Sequence, residues 1–423
     1  MSLACIILAA GQGTRMKSSL PKVLHNVCGK SMIYYVLSSA YSVKPARCIL
    51  VLGHGNKEVS QQLPEQFPAK TVIQRQQLGT AHAVSVAVKK LGGHKGDILV
   101  LYGDTPLITP QTLKSLVRTH QKNKADVTML TTILDNPTGY GRIVRSKDGR
   151  FAAIVEQADA SSNQKKIKEV NPGIYIFKAT KLLSFIKKVS KNNAQGEYYL
   201  TDVVGYLASA KAKVETLDVC ADEVQGINSL AELALAEKIM RGRINEGWMA
   251  KGVTLVDPET TYIDYDVKLG PDTTILPGCL IRGNTKIGSE ATIGPFSHLR
   301  EGTVIKNGAK VGAFCEIKNS VIAENSKVPH LSYIGDAVVG KNVNIGAGSI
   351  TCNYDGKKKH KTIIEDGAFL GSDTMLIAPV KIGKGAITGA ASAITSDVPA
   401  GALGLERSKQ KNIKNYNVKK KQR

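Results

Sequence analysis

From residue 263 to residue 317 an aliphatic side chain returns at every sixth position: Ile263, Leu269, Ile275, Ile281, Ile287, Ile293, Leu299, Ile305, Val311 and Ile317. An amphipathic helix repeats every 3.6 residues and a half-buried strand every two, so neither accounts for this period. A strict hexad is the sequence form of a parallel β-helix, here expected to be left-handed, in which each face of a three-sided coil sends one aliphatic side chain inward. Gly270, Gly288, Gly294 and Gly312 follow several of these positions. After a slip of one residue the series resumes at Ile322, Val328 and Ile334, and it is regular again at Ile364, Leu370, Leu376, Ile382, Thr388 and Ile394. The stretch Cys352–Lys361 breaks the register, which predicts a loop leaving the prism, a place where function tends to sit. Flat faces and open ends predict association through the prism sides.

Before residue 250 the pattern differs. Short runs rich in Val, Ile and Leu, at Cys5–Ala9, Arg47–Leu52, Thr71–Ile73 and Asp97–Leu101, alternate with helical stretches such as Met32–Ala40. That alternation predicts an α/β unit with a parallel, Rossmann-like sheet, whose ligands sit beyond the carboxyl ends of the strands. Ser229 and Glu232 have the spacing of a capping box, and Leu233, Ala236, Met240, Ile244 and Trp248 then recur at three- and four-residue steps. One helix of some twenty residues is expected, ~30 Å long. The predicted organisation is an α/β domain over 1–228, a connector helix over 229–249 and a β-helix with a basic tail over 250–423.

No apolar run near the start approaches the ~18 residues of a membrane span, and none has the basic flank of a signal peptide. The seven cysteines form no CxxC pair, which argues against a disulfide framework or a zinc ribbon and for reduced thiols in the cytoplasm. Charge is the unusual quantity: 57 Lys and Arg against 35 Asp and Glu give +22. Lys357, Lys358, Lys359 and Lys361 cluster in the interrupting segment, and Lys409, Lys411, Lys414, Lys419, Lys420, Lys421 and Arg423 crowd the end of the chain. Such a balance suits nucleic acid, a small phosphorylated ligand, or a merely solvated basic surface. Only 5% of residues are aromatic and no zinc-finger or RNP-like pattern occurs, which weighs against nucleic acid.

Three segments carry candidate chemistry. Leu8, Ala9, Ala10, Gly11, Gln12, Gly13, Thr14 and Arg15 follow the first strand, with Pro21 and Lys22 just beyond. Two glycines let backbone N–H groups approach a phosphate at a helix start, and Arg15 and Lys22 add fixed positive charge. Tight turns use the same glycines, but the two cations favour a nucleoside triphosphate; neither a P-loop nor the full dinucleotide fingerprint is present. Gln74, Gln77, Leu78, Gly79 and Thr80 form a second polar turn, suited either to reading a base edge or to lying in solvent. Tyr102, Gly103 and Asp104 end a buried strand, where the carboxylate fits a magnesium ligand or a helix cap.

Together these residues resemble the nucleotidyltransferases that activate sugar 1-phosphates. Further segments narrow the resemblance: Pro137–Ile143 with Gly141 and Arg142, Ile154–Glu156, Glu169–Asn171, Gln195–Asp202 with Tyr199 and Thr201, and Gln225–Asn228. With the hexad half attached, nearly the whole chain is similar to the bacterial bifunctional N-acetylglucosamine-1-phosphate uridyltransferase/glucosamine-1-phosphate N-acetyltransferase family. The resemblance implies acetyl transfer from acetyl-CoA to glucosamine 1-phosphate. Uridyl transfer from UTP to N-acetylglucosamine 1-phosphate follows, with Mg²⁺ and release of pyrophosphate. UDP-N-acetylglucosamine for cell-envelope sugars is the implied product, made by a cytoplasmic homotrimer with no nucleic-acid or membrane partner.

Residue by residue, the resemblance gives Arg15 and Lys22 to the triphosphate, and Asp104 and Asn228 to the metal. Gln74, Gly79 and Thr80 go to the uracil, Leu8, Ala9, Ala10, Gly11, Tyr102 and Gly103 to the substrates of uridyl transfer, and Gly141, Glu156, Asn171, Tyr199 and Thr201 to the sugar. In the second half it makes His330 the base, a role that suits the ~6.5 pKa of an unperturbed imidazole. Arg300 and Lys318 go to the sugar phosphate, Tyr333 and Asn344 to the sugar, and Glu316 is expected to orient His330 or to raise its basicity. Ala347, Asn353, Tyr354, Ser372, Ala390 and Arg407 go to acetyl-CoA. Pro172 stands where the family usually has Thr, and Pro329 where it usually has Gly. The chain also has fewer repeat turns ahead of Gly294-Pro295-Phe296, through which the hexad register still runs. Two other readings are a single-activity nucleotidyltransferase whose prism serves only oligomerisation, and a basic nucleic-acid-binding scaffold.

Overall fold

The computed structural model describes residues 2–414 and Tyr416, so the basic end formed by Lys419, Lys420, Lys421 and Arg423 lies outside the described residues. The chain divides into two compact units, Met1–Met240 and Arg241–Arg423.

The first unit is built on a ten-stranded sheet. Its parallel part runs Lys70–Ile73, Arg47–Leu52, Leu3–Ala9, Asp97–Tyr102. Every residue of Leu3–Ala9 is buried, as expected of a strand covered on both faces. Beyond this part the sheet differs from the all-parallel expectation. Tyr175–Lys178 enters antiparallel between Asp97–Tyr102 and Val127–Ile133, and Glu169–Asn171, Gly141–Arg145 and Phe151–Val155 continue as antiparallel neighbours. These strands alternate directly with turns rather than with helices, so no crossover forces them parallel. Val214–Asp218 restores a parallel pairing on the outer side of Val127–Ile133. Two apolar clusters cover the two faces, one around Ile6, Val100, Met129 and Phe177, the other around Ile7, Leu50, Leu101 and Ile176.

The capping box forms as expected: Ser229 N donates to Glu232 Oε2 at 2.9 Å and Glu232 N to Ser229 Oγ at 3.3 Å. The helix it starts spans Leu230–Met249. In the first unit Glu237 of this helix accepts a hydrogen bond from Cys28 N at 2.6 Å. In the second unit Asn245 Nδ2 is given to the carbonyls of Pro258 and Thr261, and Arg241 lies over the ring of Tyr262.

The second unit is the three-faced parallel coil, with faces of nine, eight and seven strands. Register partners such as Ile275 and Ile293, or Ile281 and Leu299, lie one turn of eighteen residues apart. All ten positions of the long hexad series are buried except Leu269, which packs part-buried against the same core. The ladder passes without interruption through the shortened stretch before Gly294. The sequence series missed a second five-residue step, from Ile334 to Val339, after which Ile345 and Thr351 point inward; all three later positions are fully buried. Between Ile345 and Leu370 one turn takes 25 residues, because the segment after Cys352 leaves the wall as expected and returns at Thr362. Buried hydroxyls stitch the turns: Thr273 Oγ1 donates to Gly288 O at 2.7 Å, Ser297 Oγ to Gly312 O at 2.5 Å and Ser326 Oγ to Gly340 O at 2.5 Å.

Truncating one inward side chain leaves a cavity that a stacked coil closes poorly. Ile317→Ala is expected to lower the unfolding free energy by about 2–5 kcal/mol. Lys310→Ala, on an exposed outward position, should change it by less than about 0.5 kcal/mol. Denaturant titration of both variants checks the contrast; equal midpoints would contradict the inward assignment.

Candidate active site

At the carboxyl ends of the parallel strands lies a cleft of about 290 Å³. Its lining includes Leu8, Ala9, Ala10, Gly11, Lys22, Gln74, Gly79, Thr80, Tyr102 and Asp104. Gly103, next to Asp104, is held by its N–H to Leu8 O at 2.8 Å. Sequence-quoted Gln77 and the unassigned Glu197 also line it, and Gln77 Nε2 braces the first loop by donating to Ala10 O at 2.7 Å. Arg15 is placed differently: it is exposed on the single 3₁₀ turn Thr14–Met16, outside the cleft lining. The expected helix start is therefore only one turn, and the backbone N–H groups of the glycine loop replace a helix dipole as the source of positive potential.

Lys22 Nζ donates to Asp104 Oδ2 and, at 3.0 Å, to Asn228 Oδ1. Asn228 comes from 124 residues further on and is brought in by a backbone latch, Ile227 N to Asp104 O at 2.9 Å. Its own N–H is held by Glu232 at 2.6 Å, so the helix cap also fixes the amide. Two hard oxygen donors thus converge on one cation position, here filled by an ammonium. The donor set fits a divalent ion that takes one or two protein oxygens and completes its shell with phosphate and water. Among the described residues no group of three or more His, Cys, Asp or Glu forms an alternative metal site.

Around the polar turn, Gln74 is buried, and its Nε2 meets Gly79 O at 3.2 Å and His82 Nδ1 at 3.0 Å. Gly79 has φ +107°, and a Cβ there would stand 2.6 Å from Tyr198 O, so only glycine lets this turn close. Thr80 Oγ1 accepts from Leu200 N at 2.9 Å. Further along, Thr201 Oγ1 donates to Glu156 Oε1 at 2.9 Å, and Gly141 lies against the same carboxylate. Burial pushes the Glu156 carboxyl up, aided by Asp202, Asp159 and Glu197 and opposed by Thr201. Burial also raises the Tyr199 phenol to about 12, with Asp159 and Glu156 adding to it. Tyr102 is likewise pushed up by burial and by Glu156 and Asp104, and so connects this acidic corner to the cleft. Asn171 is buried with its amide already engaged: Nδ2 donates to Tyr175 Oη at 2.6 Å, and Oδ1 accepts from Gly173 N at 3.1 Å. Pro172 sits inside that closed loop.

In the prism, His330 is exposed at the end of the strand Lys327–His330, and the register on both sides of Pro329 holds, Val311 to Val328 and Ala313 to His330. Glu316 does not orient it. Its Oε1 accepts from Arg300 Nη1 at 2.9 Å, and the register sets Glu316 beside Tyr333, on the next face. His330 instead heads the column that holds Ala347, Ser372 and Ala390: Gly348 N donates to His330 O, Asp373 N to Ala347 O and Ala391 N to Ser372 O. Arg407 reaches that column, with Nη1 3.3 Å from Ala390 O. Asn353 joins a different group, its Nδ2 meeting Asp336 at 2.6 Å and Tyr333 Oη at 3.5 Å, while Tyr354 is exposed on the loop. Lys359 was missed as a site residue. Its ammonium lies against that of Lys318, which holds it below the usual lysine range. Lys359 comes from the lysine run inside the broken register, and Asp336 and Tyr333 lie near enough to oppose the effect of Lys318. Asn344 stands on the same face as Lys327, not on that of Tyr333.

A mononucleotide-type cleft with a cation seat, on a chain that continues as a hexad prism bearing an imidazole and paired cations, defines a nucleotidyltransferase fused to an acyltransferase β-helix. The nucleotidyl transferase family matches residues 4–232, a GMPPB C-terminal domain matches 281–355, and the hexapeptide repeat of succinyl-transferase matches 361–396. "Bifunctional protein GlmU" of Caldanaerobacter subterraneus is 47% identical over 97% of this chain and 96% of its own length. Proteins of the same name are 48% identical in Thermoanaerobacter pseudethanolicus, over 97% of this chain and 96% of theirs, and in Thermosipho africanus, over 98% and 97%. The chain belongs to this GlmU family of bifunctional uridyltransferase/acetyltransferases.

The buried Glu156 allows a test of the first unit's electrostatics. A carboxyl raised in the folded protein binds protons more tightly there than in the unfolded chain, so the cost of ionising it is absent below the unfolded pKa and grows as pH rises above it. Glu156→Gln, which keeps an acceptor for Thr201, should melt with the wild type near pH 4 and above it at pH 8. A melting difference that shrinks as pH rises would contradict the assigned direction.

Proposed function

We propose that the chain makes UDP-N-acetylglucosamine from glucosamine 1-phosphate in two steps, acetyl transfer in the prism followed by uridyl transfer in the cleft. The observation that carries the reading is the convergence of Lys22, Asp104 and Asn228 beside the cleft, on a chain whose prism carries an exposed His330 and the neighbouring Lys318 and Lys359.

In the cleft, UTP lies with its base at Gln74, Gly79 and Thr80 and its phosphates on the glycine loop, with Arg15 and Lys22 neutralising charge. N-acetylglucosamine 1-phosphate fills the acidic corner, where Glu156, Tyr199 and Thr201 meet its hydroxyls. Gly141 leaves room beside Glu156, and the backbone around Asn171 shapes the wall. A phosphate oxygen of the sugar attacks the α-phosphorus, the bond to the β-phosphate oxygen breaks, and pyrophosphate leaves. The nucleophile is already an anion, so positioning and neutralisation suffice. Mg²⁺ bound by Asp104 and Asn228 would supply added charge neutralisation on the phosphates.

In the prism, Arg300, Lys318 and Lys359 hold the phosphate of glucosamine 1-phosphate and Tyr333 its sugar. Acetyl-CoA lies along the Ala347, Ser372, Ala390 column, with Arg407 on its phosphates and Asn353 and Tyr354 at its side. His330 takes a proton from the attacking amine as nitrogen bonds the thioester carbon; the C–S bond breaks and the thiolate leaves. Asn344 and Tyr333 stand on adjacent faces, and a second copy set against their shared edge would close the sugar site between them. Exposed Phe296 and Phe314 stack at 5.3 Å, and exposed Leu331 lies beside His330, an apolar corner that a second copy would cover. We therefore assign a homotrimer with composite acetyl sites, working in the cytoplasm. Among the described residues no helix is long and apolar enough to cross a membrane.

The test supplies glucosamine 1-phosphate, acetyl-CoA, UTP and Mg²⁺ and follows thiol and pyrophosphate together. His330→Ala should lower thiol release by about 10²–10⁴-fold while pyrophosphate release from supplied N-acetylglucosamine 1-phosphate persists; Asp104→Asn should do the reverse. If no thiol appears with any substrate, the prism is only an oligomerisation platform.

A further inference from the structure

Lys22 holds more than a phosphate-facing position. Its ammonium bonds both oxygens that would take the metal, and the Lys22 and Asp104 side chains are only 12% and 18% exposed. A monovalent cation on a flexible stem therefore fills the seat of a divalent one. The stem also touches the glycine loop. Gly13 has φ +65°, and a Cβ there would stand 2.8 Å from Lys22 Cβ, so the loop rests directly on the lysine. A triphosphate on that loop would lie next to the stem and offer the ammonium several anionic oxygens in place of one carboxylate and one amide.

We propose, resting on the metal assignment above, that Lys22 is a built-in placeholder for the divalent ion. Without nucleotide it neutralises Asp104 and blocks the seat. When a nucleoside triphosphate binds, the ammonium transfers to the phosphates and the seat opens, so metal and nucleotide bind with positive coupling. The arrangement avoids a desolvated carboxylate with no counter-charge, which is costly, and it keeps the free protein from loading metal before nucleotide. Coupling of this kind is reciprocal: the metal tightens nucleotide by the factor by which nucleotide tightens the metal.

The experiment measures protein-bound Mn²⁺ by water-proton relaxation on the full chain at fixed pH, with and without UTP. Wild type should bind Mn²⁺ weakly alone and at least tenfold more tightly with UTP. Lys22→Met, close in shape and uncharged, should bind Mn²⁺ at least tenfold more tightly than wild type without UTP and gain less from adding it. Lys22→Gln serves as a second uncharged variant should Met disturb folding, and Lys22→Arg, which keeps a cation, should bind as weakly as wild type. If neither uncharged variant tightens Mn²⁺ in the absence of UTP while wild type still binds it with UTP, the placeholder is overturned and the metal assignment stands. If wild type binds no Mn²⁺ even with UTP, the metal assignment falls and the placeholder with it.

Discussion

A carboxylate at the end of a buried strand has to be given a cation, and the first unit is organised around meeting that need at Asp104. The strand Asp97–Tyr102 lies in the middle of the sheet and delivers Asp104 to the cleft, part-buried. Its counter-charge comes from Lys22, on the turn after the glycine loop, and the second oxygen from Asn228, at the far end of the unit. The Ile227 to Asp104 backbone bond and the Glu232 cap hold that end in place. One ionic contact thus ties the start, middle and end of the unit, and the same contact is where the polyanionic substrate is handled.

The prism meets a different constraint. A coil this narrow has room inside for one aliphatic side chain per face, and the polar side chains at its corners need acceptors at the edge of an apolar core. Buried Thr and Ser hydroxyls at the corners answer this by donating to carbonyls one turn on. Interior positions are then fully specified, which leaves outward positions free to differ from turn to turn. That freedom allows polar and charged residues such as Arg300, Lys318, Tyr333 and His330 to stand on a repeating wall without disturbing the repeat.

How far the sequence could be read follows from these constraints. The hexad gave the prism because each inward slot tolerates only small aliphatic or Thr side chains, and the capping box gave the helix start because both partners are local. The step from Ile334 to Val339 was hidden because Thr351 does not stand out as a core residue and the segment after Cys352 breaks the series two positions later. Antiparallel strands past Tyr175 were not read because their direction depends on which turns close them, and that is not a local property. At the sites, residues on short motifs came together as expected: Lys22, Asp104, Gly79 and Thr80 around the cleft, Glu156 with Thr201. Other placements depend on partners far along the chain: Glu316 goes to Arg300 rather than His330, Arg15 sits on an exposed turn, and Asn171 gives its amide to Tyr175 and Gly173.

The commitment of Glu316 bears on how an imidazole would work in the prism. A histidine backed by a buried carboxylate can hold its proton inside the site, but His330 is exposed and its strand partner is Ala313. Among the described residues Glu316 is turned to Arg300, so the exposed imidazole has solvent on its outer side. The Arg300–Glu316 pair meanwhile holds the guanidinium on a carboxylate whose strand neighbour is Tyr333, at a part-exposed position. Glu316 is thus committed to Arg300, while His330 adjoins the exposed apolar corner formed by Phe296, Phe314 and Leu331.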